Sequence, residues 1–277
     1  MKDFLRFLRT HRPAQAGLLL IVLVLTCATA ADLITPFGPM EAVPNRFFAP
    51  PGGEHVLGTD SQGRDLFSRL VHGSRYTLAV AVSATLLSLL AGALVGCLAG
   101  YFGRWVDMTL MRGVDFLMSF PSFLLACVAV AILGKSLANL IWAVGIAGAP
   151  SVARQVRAEV LRIRSLEYVE AAHSLGYSHA RILLRHVLPN CLSPIIVLGT
   201  LGMGGSILSV AGLAFLGLGG DPFLPEWGLM LKLGWDQSTQ GAFQVGVSGA
   251  CILGTVLGFN LFGDGLRDWL DPRARQR

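Results

Sequence analysis

Few residues in this 277-residue chain have the types and spacing to do chemistry. Lys135 lies in AVAILGKS, residues 129–136, one residue short of the phosphate-cradling pattern G-x-x-x-x-G-K-[ST]. Ala129 stands where the first glycine is required, and the flanking sequence is apolar enough to be a membrane helix, so no nucleotide loop forms there. His173, His179 and His186 are six and seven residues apart. That spacing does not stack two imidazoles on one helix face, and they read as surface or lipid-interface residues. Neither HExxH nor GxSxG occurs, and the cysteines at 27, 97, 127, 191 and 251 contain no CxxC. They read as small packing residues. Catalysis and metal binding find no support, and any energy from ATP has to come from a separate subunit.

What remains is a polar, basic island, Arg164 to Asn190, RSLEYVEAAHSLGYSHARILLRHVLPN. Leu166, Val169, Ala172 and Leu175 recur every three residues, the stripe of an amphipathic helix, and Gly176 follows where a left-handed C-cap belongs. Ser178 caps a second short helix from His179, which carries Ile182, Leu183 and Val187 on one side and runs into Leu188-Pro189. The pattern is that of a helix-turn-helix docking element on a membrane surface.

The elements that position it are set by composition. With 53% hydrophobic and 14% charged residues, the chain cannot cover a soluble globule. Windows of about 20 residues give six spans, near 14–33, 77–101, 114–134, 136–150, 192–218 and 241–263. Sixteen of the 22 Lys and Arg fall on one side if the N-terminus is inside, so both termini and the island are expected in the cytoplasm. The net charge of +5 then reports topology and contact with anionic membrane lipid, and no aromatic-interleaved groove suggests nucleic acid. The first segment also mimics a secretory signal, with Ala28-Thr29-Ala30 as an A-x-A site, but its apolar character continues through Ile34 and an uncleaved helix is expected.

Glu170-Ala171-Ala172, three residues, Gly176, and then Leu188-Pro189 twelve and thirteen residues on resembles the EAA loop of binding-protein-dependent ABC importer permeases. His186 stands where that loop has isoleucine, as in the peptide and nickel branch. Residues 55–78, the FLGLGGDPFLPEWGLML stretch and the end at 259–273 are similar to the C-type permease of that branch, in the same order. The resemblance implies an all-α, polytopic type I permease core over 77–277, with residues 1–76 supplying an N-terminal helix and an extracytoplasmic loop, and a coupling loop over 151–190. Glu170, Ala171, Ala172, Leu175, Gly176, Leu188 and Pro189 would couple to cytosolic ATP-binding subunits. The alanines would let the lever seat closely, Gly176 would permit the turn, and Pro189 would stiffen the junction to the fifth span. The other implied partners are a second homologous permease and an extracytoplasmic solute-binding protein, in a bacterial inner membrane. The cofactor ATP would be bound by the partners. The cargo would be a di- or oligopeptide, with nickel or another metal chelate as the alternative. A secondary transporter and a membrane scaffold without transport are the readings from other classes.

Other residues carry further expectations. Leu66, Phe67, Leu70 and Val71 suggest a short helix on the membrane face, with Asp60, Arg64, Asp65 and Arg69 pairing locally on a solvated surface. Gly92, Gly96 and Gly100 form a stripe for close helix packing. Pro121 bends the third span, and Arg112 pairs with Asp115. The glycines from 199 to 212 suggest a helix that bends or slides, Trp227 and Trp235 an aromatic belt, and Asp264, Arg267, Asp268 and Asp271 a solvated helix exit.

Overall fold

A computed structural model describes residues 7–8, 10–221 and 223–270. Among the described residues the only non-helical pairings are isolated bridges between residues 42 and 65, and the rest of the regular structure is helix. The helices are α1 (Arg12–Thr29), α2 (Ala31–Ile34), α3 (Leu66–Phe102), α4 (Arg104–Met118), α5 (Ser122–Leu133), α6 (Leu137–Arg164), α7 (Glu167–Ser174), α8 (His179–Leu218), α9 (Trp227–Asp236) and α10 (Ala242–Leu270). Five are long and apolar enough to cross a membrane, and the α4–α5 pair makes a sixth if taken as one span.

Backbone approach at glycine holds the core together. On α3, a Cβ at Gly92 would lie 2.6 Å from Val152 Cβ, at Gly96 2.5 Å from the Ala153 carbonyl and at Gly100 2.9 Å from Val160 Cβ, so the expected stripe is the seam with α6. From the other side, Gly145 of α6 seats Leu87 of α3. In lipid no hydrophobic force separates helix–helix from helix–lipid contact, so such close van der Waals seams carry much of the association. A second seam joins α1 to α10, where a Cβ on Gly17 would meet the Gly258 carbonyl at 2.7 Å and one on Gly265 would meet Ala14 Cβ at 2.5 Å. His11, which caps α1 by accepting from the Ala14 N–H, lies 3.5 Å from Asp268. Asp268 at the helix exit thus has a partner from α1, while Asp271 lies outside the described residues.

Several expectations are corrected. The third span is broken rather than smoothly bent at Pro121, which stands at the N-cap of α5, and α4 and α5 meet at 86°. Without an N–H, and disfavouring helix in the residue before it, proline starts a helix more readily than it continues one. Asp115 pairs with Arg154 of α6 at 2.6 Å rather than with Arg112, and Asp107 makes a two-pronged pair with Arg157. These pairs pin amphipathic α4 against α6. The fourth span is no short segment but 28 residues of α6, with Pro150 inside it. Three of the glycines of α8 also seat neighbours: Gly199 takes Leu89, Gly204 takes Asn260 and Gly212 takes Phe123, while beside Gly205 there is open space. These three neighbours come from three different helices, and helical geometry breaks in the last turn of α8 at Gly217, where φ is +77°.

The amphipathic helix expected on the membrane face is instead the start of 37-residue α3, with Leu66, Leu70 and Val71 buried. The proposed domain boundary at residue 76 falls inside this unbroken helix. The charges beside it are buried too. Arg69 is 0% exposed, donates to the Pro39 carbonyl at 2.8 Å and lies 3.5 Å from Asp60, which also holds Arg64 at 2.7 Å. Asp65 caps α3 through the Ser68 N–H and pairs with His55 Nδ1 at 2.9 Å. The local pairing is present, but the solvated face is not: the loop folds over its own charges, because a buried ion is tolerated only when paired and hydrogen-bonded. Trp227 likewise leaves the aromatic belt for the interior, 2% exposed, donating from Nε1 to the Leu70 carbonyl at 2.9 Å, whereas Trp235 is exposed.

Candidate functional site

The island folds as two helices joined by a tight turn. Leu166 is the N-cap of α7, and Glu167 and Glu170 in the first turn face its positive dipole end. At the other end Gly176 has φ +79°. Its N–H bonds the His173 carbonyl at 2.9 Å, and the Tyr177 N–H reaches the Ala172 carbonyl at 3.2 Å, which together make a Schellman closure. Nothing lies within 4 Å of a Cβ placed there, so glycine is required by backbone sign and not by space. Ser178 then caps α8 through the Arg181 N–H.

The second helix runs through Leu188-Pro189 into the fifth span. Residues from His179 to Leu218 form one 40-residue helix, widened to a π turn over Leu183–Val187. Pro189 has no N–H and its ring crowds the turn before it, which accounts for the widening. The His186 carbonyl at this point receives Asn190 Nδ2 at 2.7 Å and Tyr168 Oη at 3.3 Å. The helix that follows the turn and the membrane-crossing helix are therefore continuous.

The seven expected coupling residues divide between two faces. Ala172 is buried with Val169 in a cluster that includes Val160, Ile163, Ile182 and Val187, so its small size serves packing within the chain. Glu170, Ala171, Gly176 and Pro189 are exposed, Leu188 is half-buried, and Leu175 stands at the tip, 71% exposed. Sequence reasoning missed the aromatic fastening beneath. Tyr101 at the end of α3 pairs its Oη with His179 Nδ1, and its ring stacks on His173, while His173 and His179 lie 5.5 Å apart across the turn. His173 and His179 are thus parts of one cluster, brought together by the turn rather than by one helix face, while His186 lies against Tyr168 and Tyr177. Arg181 sits over the Tyr177 ring at 4.2 Å.

A second feature lies along α8. Between α3, α5, α6 and α8 is a cavity of about 390 Å³ bearing the hydroxyls of Thr85, Ser88, Ser122, Ser151, Ser206 and Ser209. The sequence offered a signal, since Thr85 and Ser88 and again Ser206 and Ser209 are three apart in apolar helices. Thr85 donates to Ser206 Oγ at 2.8 Å, bridging α3 and α8.

Comparison with known proteins decides the family. The family described as binding-protein-dependent transport system inner membrane component matches residues 92–276, which includes the whole island and three of the long helices. The chain belongs to this family. It is a membrane-spanning permease subunit of the importers whose name the family bears. Residues 1–51 match the N-terminal TM domain of oligopeptide transport permease C. The permease is 42% identical to the dipeptide transport system permease protein DppC of Alkalihalophilus pseudofirmus, over 99% of this chain and 90% of that protein. It is 40% identical to the di/tripeptide transport system permease protein DppC of Pseudomonas aeruginosa, over 99% and 93%. With the glutathione transport system permease protein GsiD of Pectobacterium atrosepticum it shares 41%, over 98% and 90%.

Proposed function

We propose that this permease imports short peptides across the cytoplasmic membrane, driven by ATP hydrolysed on separate subunits that grip α7 and the Gly176 turn. The cargo is favoured by relatives named for dipeptides, di/tripeptides and glutathione, and none of these three is named for nickel. A single structural observation supports the coupling: exposed Glu170, Ala171 and Leu175 sit beside a hydrogen-bonded turn whose following helix runs on past the serine-lined cavity. A push on the turn is therefore a displacement of a cavity wall. In this reading the turn and both termini are cytoplasmic, a second permease completes the pore, and a solute-binding protein delivers cargo to the opposite side.

The test is uptake of a labelled dipeptide into vesicles containing the complete complex and its binding protein. Uptake should require ATP and persist when an ionophore collapses the proton gradient. Ala171→Cys should crosslink to the ATPase subunit. Uptake that stops with the gradient while ATP is held constant supports a secondary transporter instead.

A further inference from the structure

Resting on the peptide-permease reading, we propose that the cavity between α3, α5, α6 and α8 is a transit site that holds the backbone of a short peptide by neutral hydroxyls.

Four threonines of the membrane helices set a contrast with the hydroxyls there, although Ser68 on α3 and Ser248 on α10 are also buried without a partner. Thr26, Thr29, Thr200 and Thr255 each donate to the carbonyl four residues back, the usual way to satisfy a hydroxyl in an apolar surrounding. Among the described residues Thr85, Ser88, Ser122, Ser206 and Ser209 make no such bond, and Thr85 and Ser206 are satisfied only by each other. Their capacity is directed at the cavity.

The lining also lacks charge, containing no Asp, Glu, Lys, Arg or His. In a site of low dielectric an ion would hold an oppositely charged terminus strongly and slow its release, while a wholly apolar wall would strand the peptide's N–H and C=O groups. A hydroxyl both donates and accepts, so one set of serines serves either group without reading side chains. Volume is consistent, since about 390 Å³ falls in the range of small-ligand sites even before a second permease supplies an opposite wall. Glycine makes the room: a Cβ on Gly148 would lie 2.8 Å from Ser88 Oγ, and beside Gly205 there is open space. Leu90 on α3 and Leu208 on α8 are exposed and absent from the lining, so the hydroxyls gather on the faces turned from lipid.

Cysteine accessibility in the complete complex tests this. Ser88→Cys and Ser209→Cys differ from the native residues by one atom, and co-elution of each with the complete complex on size exclusion reports that it is folded. With the native chain as background, both should react with a membrane-impermeant thiol reagent, and Leu90→Cys should not. A dipeptide at about ten times its half-saturating concentration should slow labelling by about tenfold, as simple occupancy requires. Unreactive cysteines, or reactive ones that dipeptide does not protect while uptake continues, overturn the site and leave the cargo reading standing. Uptake by the unmodified complex is measured first, and its absence defeats both together.

Discussion

Tyr101, buried at the last turn of α3, pairs its hydroxyl with Nδ1 of His179, the first residue of α8, at 3.1 Å. This joins the end of one central helix to the start of the helix that follows the Gly176 turn. Tyr101→Phe keeps the ring stacking on His173 and removes one hydrogen bond, about 1 kcal/mol net. The expected outcome is a small drop in thermal midpoint in detergent and a larger fractional loss of uptake than of ATP hydrolysis, because the turn is loosened from the bundle. Equal loss of both would mean that the bond serves folding alone.

Gly96→Ala places a methyl 2.5 Å from the Ala153 carbonyl, a backbone atom that cannot rotate away. The α3–α6 seam has to open, at a cost of about 1–3 kcal/mol as for other overpacked interiors. Gly113→Ala on α4 meets nothing within 4 Å and should be neutral or stabilising by about 0.5–1 kcal/mol through helix propensity. Folded yield by fluorescence-detected size exclusion should separate the two variants, with Gly96→Ala the lower.

Glu226 gives a pH signature. It is fully buried, caps α9 by accepting from the Leu229 N–H at 2.9 Å, and accepts from Thr77 Oγ1 at 3.3 Å. Burial pushes its carboxyl pKa above the ordinary range. The folded protein then holds a proton that the unfolded chain gives up near pH 4.3. The contribution is full below that value and is lost as pH rises toward the folded pKa. Glu226→Gln keeps an acceptor for the cap and removes the ionisation. Thermal midpoints measured from pH 5 to 8 should decline less steeply in the variant, which should equal or exceed the native chain at the alkaline end.

The Arg157–Asp107 pair holds α4 on α6 through two hydrogen bonds, with both side chains partly buried. A double-mutant cycle with Arg157→Ala and Asp107→Ala should return a coupling of about 1 kcal/mol, above most exposed pairs because the contact is two-pronged. A coupling near zero would mean that α4 is held by its apolar face.

The sequence made long elements and local chemistry legible and left their meeting invisible. Apolar length marked most spans, and Gly176 marked its turn, because each is a property of neighbouring residues. Arg69 and Asp60 read as a wet surface because nothing local says that the loop from residue 38 will fold over them. Trp227 was misplaced for the same reason: its partner, the Leu70 carbonyl, is 157 residues away. Pro121 was expected to bend a span, and the sharper break came from its place at the N-cap of a new helix, with α4 held against α6 by ion pairs between residues 39 and 50 positions apart. Ala172 shows a subtler limit. Its motif marks it for coupling, yet smallness serves the chain's own core as well as any partner's cleft.

The most direct test of the lever compares Gly176→Val with Gly176→Asn, measuring dipeptide uptake and ATP hydrolysis in the same vesicles. A Cβ at this position meets nothing within 4 Å in the chain itself, and the two side chains are similar in size, so the comparison isolates tolerance of the backbone at φ +79°. Asparagine tolerates that region and a β-branched residue does not. The valine variant should insert and assemble but lose most uptake per ATP hydrolysed, with the asparagine variant near native. Undiminished uptake per ATP in Gly176→Val would contradict the coupling role of the turn.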